Sequence, residues 1–219
     1  AGTDAESGRR SEQDGRGAAE DGDEPRAGRG SSIYEVGTFD TRGMAAAQKL
    51  RFLGSLWRVT IPLVVVYFAE YALQSGVWSA MGFPVHSTHA RETFYEYANW
   101  SYQLGVFISR SSGMLFTPSL RVLWLLPVLQ CLLFTFFTID AISHFWYDYG
   151  LCAPAVVVGL LGGGVYVHGF KLLSQATKPA LRELAMSSAS VSADAGLMLG
   201  SLASIYIQQW IYAENDIDD

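Results

Sequence analysis

Five long apolar stretches limit what this chain can fold into. They cover residues 58–82, 93–109, 119–139, 151–170 and 184–212, of which the second is the weakest candidate. A helix needs about 20 residues to cross the hydrocarbon core of a bilayer, and each stretch is close to that length. Membrane barrels show alternating apolar and polar residues in strands of about ten residues, and that pattern is absent here. The sequence therefore predicts an all-α polytopic membrane protein with five spans.

Charged residues are distributed unevenly along the chain. Residues 1–43 hold 10 of the 21 acidic and 6 of the 15 basic residues, which leaves 20 charged residues in the other 176. Soluble domains are typically about 25% charged, so the body of this chain is far too apolar for a soluble globular enzyme. A net charge of −6 without a basic patch also excludes a nucleic-acid partner. No cofactor is expected, and no metal site, because His86 and His89 have no third ligand nearby.

The segments outside the spans have distinct compositions. Residues 1–43 are rich in glycine, acidic residues and arginine, which predicts a disordered cytosolic tail or loop. Residues 44–57 predict an amphipathic juxtamembrane helix, and residues 213–219 an acidic lumenal end. The chain begins with alanine rather than methionine, so we expect it to be a piece of a longer protein.

Basic residues indicate the orientation of the spans. With a cytosolic tail and five spans, eight basic residues lie on the cytosolic side: Lys49, Arg51, Arg58, Arg110, Arg121, Lys171, Lys178 and Arg182. The opposite side holds only Arg91. Cytosolic loops of membrane proteins carry such an excess of lysine and arginine. We therefore predict a lumenal carboxyl-terminal end.

Three of the spans carry stripes of polar residues at helical spacing. The stripe of the first span is Tyr67, Glu70 and Gln74; that of the second is Glu96, Asn99, Gln103 and Arg110; that of the fifth is centred on Asp194. A charge at mid-bilayer costs about 2.5–3.5 kcal/mol on insertion scales, and such residues mark transport pathways and proton relays. We expect these eight residues to line a substrate or proton pathway. The alternative is that they only form hydrogen bonds between helices.

Glycines in the last two spans are spaced for close helix packing. Gly159 and Gly163 form one GxxxG pair, and Gly196 and Gly200 form another. The glycine triplet at residues 162–164 is not a phosphate-binding loop, because no lysine followed by serine or threonine comes after it.

Several stretches of the body resemble a known family. They are YFAEY at 67–71, YQLGVFISRSS at 102–112, LLGGGVYV at 160–167, RELAM at 182–186 and SADAG at 192–196. In order and spacing they resemble the carboxyl-terminal half of the battenin family over about residues 58–202. The resemblance implies a five-helix half of a divergent major-facilitator-like bundle in a lysosomal or vacuolar membrane. It also implies roles in organelle pH homeostasis and in the export of basic amino acids or glycerophosphodiesters. Glu70, Arg110 and Asp194 match signature polar positions of the family.

These observations favour the carboxyl-terminal half of a transporter. Its expected partners are the lipid bilayer, the amino-terminal half of the same protein and a small-molecule substrate. Two alternatives stay open: a membrane scaffold for vesicle trafficking that transports nothing, and an equilibrative nucleoside-type facilitator.

Overall fold

Six α-helices form most of the part that the computed structural model describes, residues 45–114 and 119–217. They are α1 (Ala46–Ser55), α2 (Trp57–Ala72), α3 (Thr88–Ser111), α4 (Leu120–Ser143), α5 (Cys152–Ala176) and α6 (Pro179–Glu214). A π-helical turn, Leu73–Val77, and a 3-10 turn, Trp78–Ala80, extend α2. No strand occurs in these described ranges. The predictions for residues 1–43 and for the last two residues concern segments outside them.

Local sequence explains where several helices begin and end. The Ser87 hydroxyl accepts a hydrogen bond from the Ala90 N–H at 3.3 Å and so caps the start of α3. Pro179 opens α6, a position where a missing N–H costs nothing. His144 ends α4 in the left-handed conformation, with a φ of 52°.

Within the described ranges, four segments are long and apolar enough to cross a membrane: Trp57–Ala80, Leu120–Ser143, Tyr149–Ala176 and Pro179–Glu214. The predicted all-α polytopic membrane fold is confirmed. Helix α3 covers the predicted second span and has 24 residues, but it is more polar than the other four. That α3 also crosses the membrane, which would make five spans, stays a prediction.

The helices run in alternating directions through the bundle. Helix α3 lies parallel to α5, because Gly159 faces Tyr102 and Gly163, one turn later, faces Val106. Helix α2 lies parallel to α6, because Gly196 faces Val64 and Gly200 faces Phe68. The packing role predicted for both glycine pairs is thereby confirmed. Helix α3 also runs along α5, which is itself a candidate span.

Because the directions alternate, the first residues of α2, α4 and α6 lie at the same end of the bundle as the last residues of α3 and α5. We call the end at which α2, α4 and α6 begin the basic end, because the eight basic residues named above lie there. The Lys171 ammonium donates to the Gly113 carbonyl at 2.8 Å and joins the ends of α5 and α3. At the opposite end, the Asn215 amide donates to the Ala141 carbonyl at 2.9 Å and joins α4 to the residues after α6.

The outer surface of α4 is apolar. Its exposed side chains include Val122, Trp124, Leu125, Val128, Leu132 and Ile139. An apolar surface of this extent requires a non-aqueous neighbour, which for a polytopic membrane protein is the lipid bilayer. Helix α1 packs against the bundle through Phe52, which is buried in the core, whereas its Leu50 is exposed.

Candidate functional site

A buried carboxylate lies at the centre of the bundle. Glu70 on α2 is only 1% exposed, and its Oε1 accepts a hydrogen bond from the Tyr102 hydroxyl of α3. Its Oε2 has no hydrogen-bond partner among the described residues. A buried acidic group without a full set of partners is costly for a fold, and in a membrane helix such a group indicates function.

Helix α5 makes room for this carboxylate with a glycine. A β-carbon added at Gly162 would lie 2.5 Å from Glu70 Oε2 and 2.8 Å from Glu70 Cδ. Real β-carbons do not approach other atoms below 3.0 Å, so no other residue fits at position 162 unless Glu70 moves. Three helices therefore meet at the carboxyl group: α2 supplies it, α3 supplies a donor and α5 supplies the space.

Arg110 brings a positive charge to the same region. It lies on α3, two turns from Tyr102 toward the basic end, and its charge acts on both Tyr67 and Glu70. The guanidinium carbon lies 5.0 Å from the centre of the Tyr166 ring of α5, a cation–π distance. Arg110 itself is exposed in the described part of the chain, so it remains accessible from the basic end.

Two further predicted residues lie around Glu70. Gln74 is one turn away in the π-helical segment, and its amide nitrogen is buried without a hydrogen-bond partner in the described ranges. Short π-helical segments occur frequently at functional sites. Asp194 of α6 is exposed, and its charge acts on Tyr71, the residue that follows Glu70. The structure thus places Tyr67, Glu70 and Arg110 in one polar region, and Asp194 lies outside it on α6, near Tyr71.

The other three predicted residues lie elsewhere. Glu96, Asn99 and Gln103 line an open pocket of about 260 Å³ on the outer face of α3, with Tyr95 and Trp100 beside them. Tyr102 points from the same helix to the buried side, toward Glu70. We use the term outer face of α3 for the surface formed by these five residues. The predicted stripe therefore reaches the buried carboxylate only through Arg110.

A larger cavity opens at the end opposite the basic end. It has a volume of about 440 Å³ and lies between α3 and α6. Glu92, Glu96, Tyr95 and Gln208 line it, together with Arg91. The buried Arg91 side chain donates to the Val85 carbonyl at 2.8 Å and lies over the Tyr212 ring at 5.2 Å. Within the described residues, no three histidine, cysteine or acidic side chains are grouped so that they could hold a metal ion.

Helical spacing alone missed three residues of the central site: Tyr102, Gly162 and Tyr166. Tyr102 is on α3 but outside the polar stripe, and Gly162 has no side chain to detect. All three nevertheless lie in the stretches that carry the family resemblance, YQLGVFISRSS and LLGGGVYV. That shared location was the signal that could have found them.

Comparison with known proteins gives these residues a context. The sequence pattern of the family described as CLN3 protein matches residues 5–213. The chain belongs to this family. It is 36% identical over 162 residues to Battenin of Canis lupus familiaris, a match that covers 73% of this chain and 36% of the relative. It is 33% identical over 174 residues to Protein btn1 of Aspergillus fumigatus, covering 74% of this chain and 35% of the relative. No solved structure matches the chain.

The match covers only part of the relatives. The chain spans little more than a third of the length of the CLN3-family proteins it matches. It is a multi-pass membrane protein of this family, and the resemblance stated from the quoted stretches is confirmed.

Proposed function

We propose that this chain is the carboxyl-terminal half of a lysosomal or vacuolar transporter. The observation that supports this most is the central site, in which Glu70 is buried between α2, α3 and α5 with Arg110 beside it. A helix that only anchors a protein needs no buried carboxylate, whereas transport pathways regularly contain one.

The surface of the bundle supports the proposal that this chain is only one half of the transporter. The outer face of α3 exposes Glu96 and Gln103, and α6 exposes Asp194. Polar residues within membrane segments rarely face lipid, so these faces require a cover. In major-facilitator folds the substrate site lies between two halves, near the middle of the membrane. We propose the amino-terminal half of the same protein as that cover, with α3 crossing the membrane in addition to the four candidate spans.

The site also suggests how a substrate is handled. Arg110 lies where an anionic group arriving from the basic end would meet its guanidinium, which suits a glycerophosphodiester. Glu70 and Asp194 could instead attract a basic amino acid, or exchange a proton during the transport cycle. Either cargo agrees with the proposed contribution to organelle pH homeostasis and small-molecule export.

The experiment is a flux measurement with the full-length protein in proteoliposomes. The probes are radiolabelled lysine, arginine, glycerophosphoinositol and uridine, each tested with and without a pH gradient. We expect uptake above protein-free liposomes for a basic amino acid or the phosphodiester. Uptake of uridine alone would favour the nucleoside-type facilitator. Correctly inserted, folded protein that moves none of the probes would favour the trafficking scaffold.

A further inference from the structure

The Glu70 carboxyl group is held from two sides by residues that no charge pattern marks. The Tyr102 hydroxyl fixes Oε1, and the missing side chain at Gly162 leaves the space that Oε2 occupies. The carboxyl group is at the end of a flexible side chain, so its position depends on these neighbours rather than on the α2 backbone.

The glycine triplet contains an internal comparison. A β-carbon at Gly162 would collide with the Glu70 carboxyl group at 2.5 Å. A β-carbon at Gly164, two residues later on the same helix, would come no closer than 3.4 Å to Ser109 and 3.7 Å to Leu126, which are ordinary contacts. The sequence GGG therefore contains one glycine that the carboxylate requires and one that it does not.

The collision at Gly162 is also of a particular kind. It involves the end of a side chain, which can rotate away, and not the backbone of a neighbouring helix. By contrast, a β-carbon at Gly159 would meet the backbone of α3 at Tyr102 and Val106. Alanine at position 162 should thus displace Glu70 while the helices stay in place.

We propose that Gly162 and Tyr102 are positioning residues, which together hold the Glu70 carboxyl group in the single orientation that transport requires. Tyr102 keeps Oε1 occupied, so that Oε2, which packs against Gly162, is the oxygen left to take up and release a proton. This rests on the proposed function, because the positioned group acts in the transport step. It adds two residues to the pathway and gives the glycine triplet a role beyond helix packing.

The test is a double-mutant cycle in the full-length protein. The variants are Gly162→Ala, Glu70→Asp and the two combined, with Gly164→Ala as the matched control. Aspartate is shorter than glutamate by one carbon–carbon bond, about 1.5 Å, which is enough to clear the added β-carbon. Thermal unfolding in detergent reports the fit of the carboxyl group, and flux of the radiolabelled probes reports transport.

We expect Gly164→Ala to match the wild type in both measurements. Gly162→Ala should fold and insert normally, yet lose at least about tenfold in the maximal flux. In the Glu70→Asp background the same alanine should have no further effect on unfolding temperature or flux. Tyr102→Phe, which removes only the hydroxyl, should also lower maximal flux, whereas Tyr97→Phe at an exposed position of α3 should not.

Two results would overturn the proposal. One is a Gly162→Ala variant with wild-type flux. The other is an alanine effect on unfolding that is equally large with glutamate and aspartate at position 70. If wild type transports none of the probes, the transporter proposal fails, but the unfolding cycle still shows whether Gly162 positions the carboxyl group.

Discussion

Replacing Gly159 with alanine should separate α3 from α5. A β-carbon there would overlap the Tyr102 carbonyl oxygen and lie 2.9 Å from the Val106 nitrogen. Ordinary contacts begin near 3.4 Å, so the helices would have to move apart by at least about 0.5 Å at Val106 and by more at Tyr102. Both groups belong to the backbone of a helix, which cannot rotate away as a side chain can.

The expected loss of stability follows from this geometry. Overpacking a close-packed interior costs typically about 1–3 kcal/mol, and a clash with rigid backbone belongs at the upper limit. A loss of about 3 kcal/mol lowers the unfolding temperature of a chain of this size by about 6–12 °C. The expected effect is large because moving α3 away from α5 also weakens two neighbouring contacts between these helices, that of Gly105 with α5 and that of Gly163 with α3.

The assay is thermal unfolding of the purified protein in detergent, followed by tryptophan fluorescence. Gly164→Ala is the control, since Gly164 lies on the same helix as Gly159 and its added β-carbon would make only ordinary contacts. An unfolding temperature of Gly159→Ala within about 2 °C of the control would refute the close approach of α3 and α5 described here.

Three further predictions address charge and topology. Arg110→Lys keeps the charge at the basic end but loses the planar guanidinium, so glycerophosphoinositol flux should fall at least about tenfold while lysine flux is retained. If both fluxes are retained equally, Arg110 has no role in recognising an anion. Glu70→Gln cannot titrate, so its flux should lose much of its response to a pH gradient, and Asp194→Asn should show a weaker loss; a full response in both folded variants would leave the carboxylates as packing groups. Cysteine introduced at the exposed position Asp216 should react with an impermeant reagent only from the lumenal side of sealed vesicles, and labelling from the cytosolic side would mean an even number of spans.

Much of the fold could be predicted because the bilayer imposes a length and an apolar composition on each spanning helix. The apolar stretch at 119–139 lies within α4 except for Ser119, which precedes the helix, and the stretch at 151–170 lies within the segment Tyr149–Ala176. Helix ends were harder to predict, because they depend on local caps such as Ser87 and on the left-handed His144. Helix α3 was the weakest candidate because it packs along α5 through Gly105 and Tyr102, so that it needs fewer apolar side chains.

The central site could be predicted only in part. Spacing within one helix identifies residues that share a face, and this found Tyr67, Glu70 and Gln74 on α2. It cannot show which residues of other helices meet that face. Tyr102 and Gly162 reach Glu70 only because α3 and α5 pack in parallel, and that register is set by backbone contacts between glycines and neighbouring helices.

The most direct test of a water-filled pathway between two halves is the reactivity of cysteines along α3. All cysteines of the full-length protein, Cys131 and Cys152 among them, are first replaced by alanine. Gln103→Cys and Leu104→Cys then compare two exposed positions at nearly the same depth, one on the polar outer face of α3 and one beside it. The account predicts that a cationic, membrane-impermeant thiol reagent modifies the cysteine at 103 and leaves the one at 104 unmodified. Equal modification of both positions, or modification of neither, would contradict it.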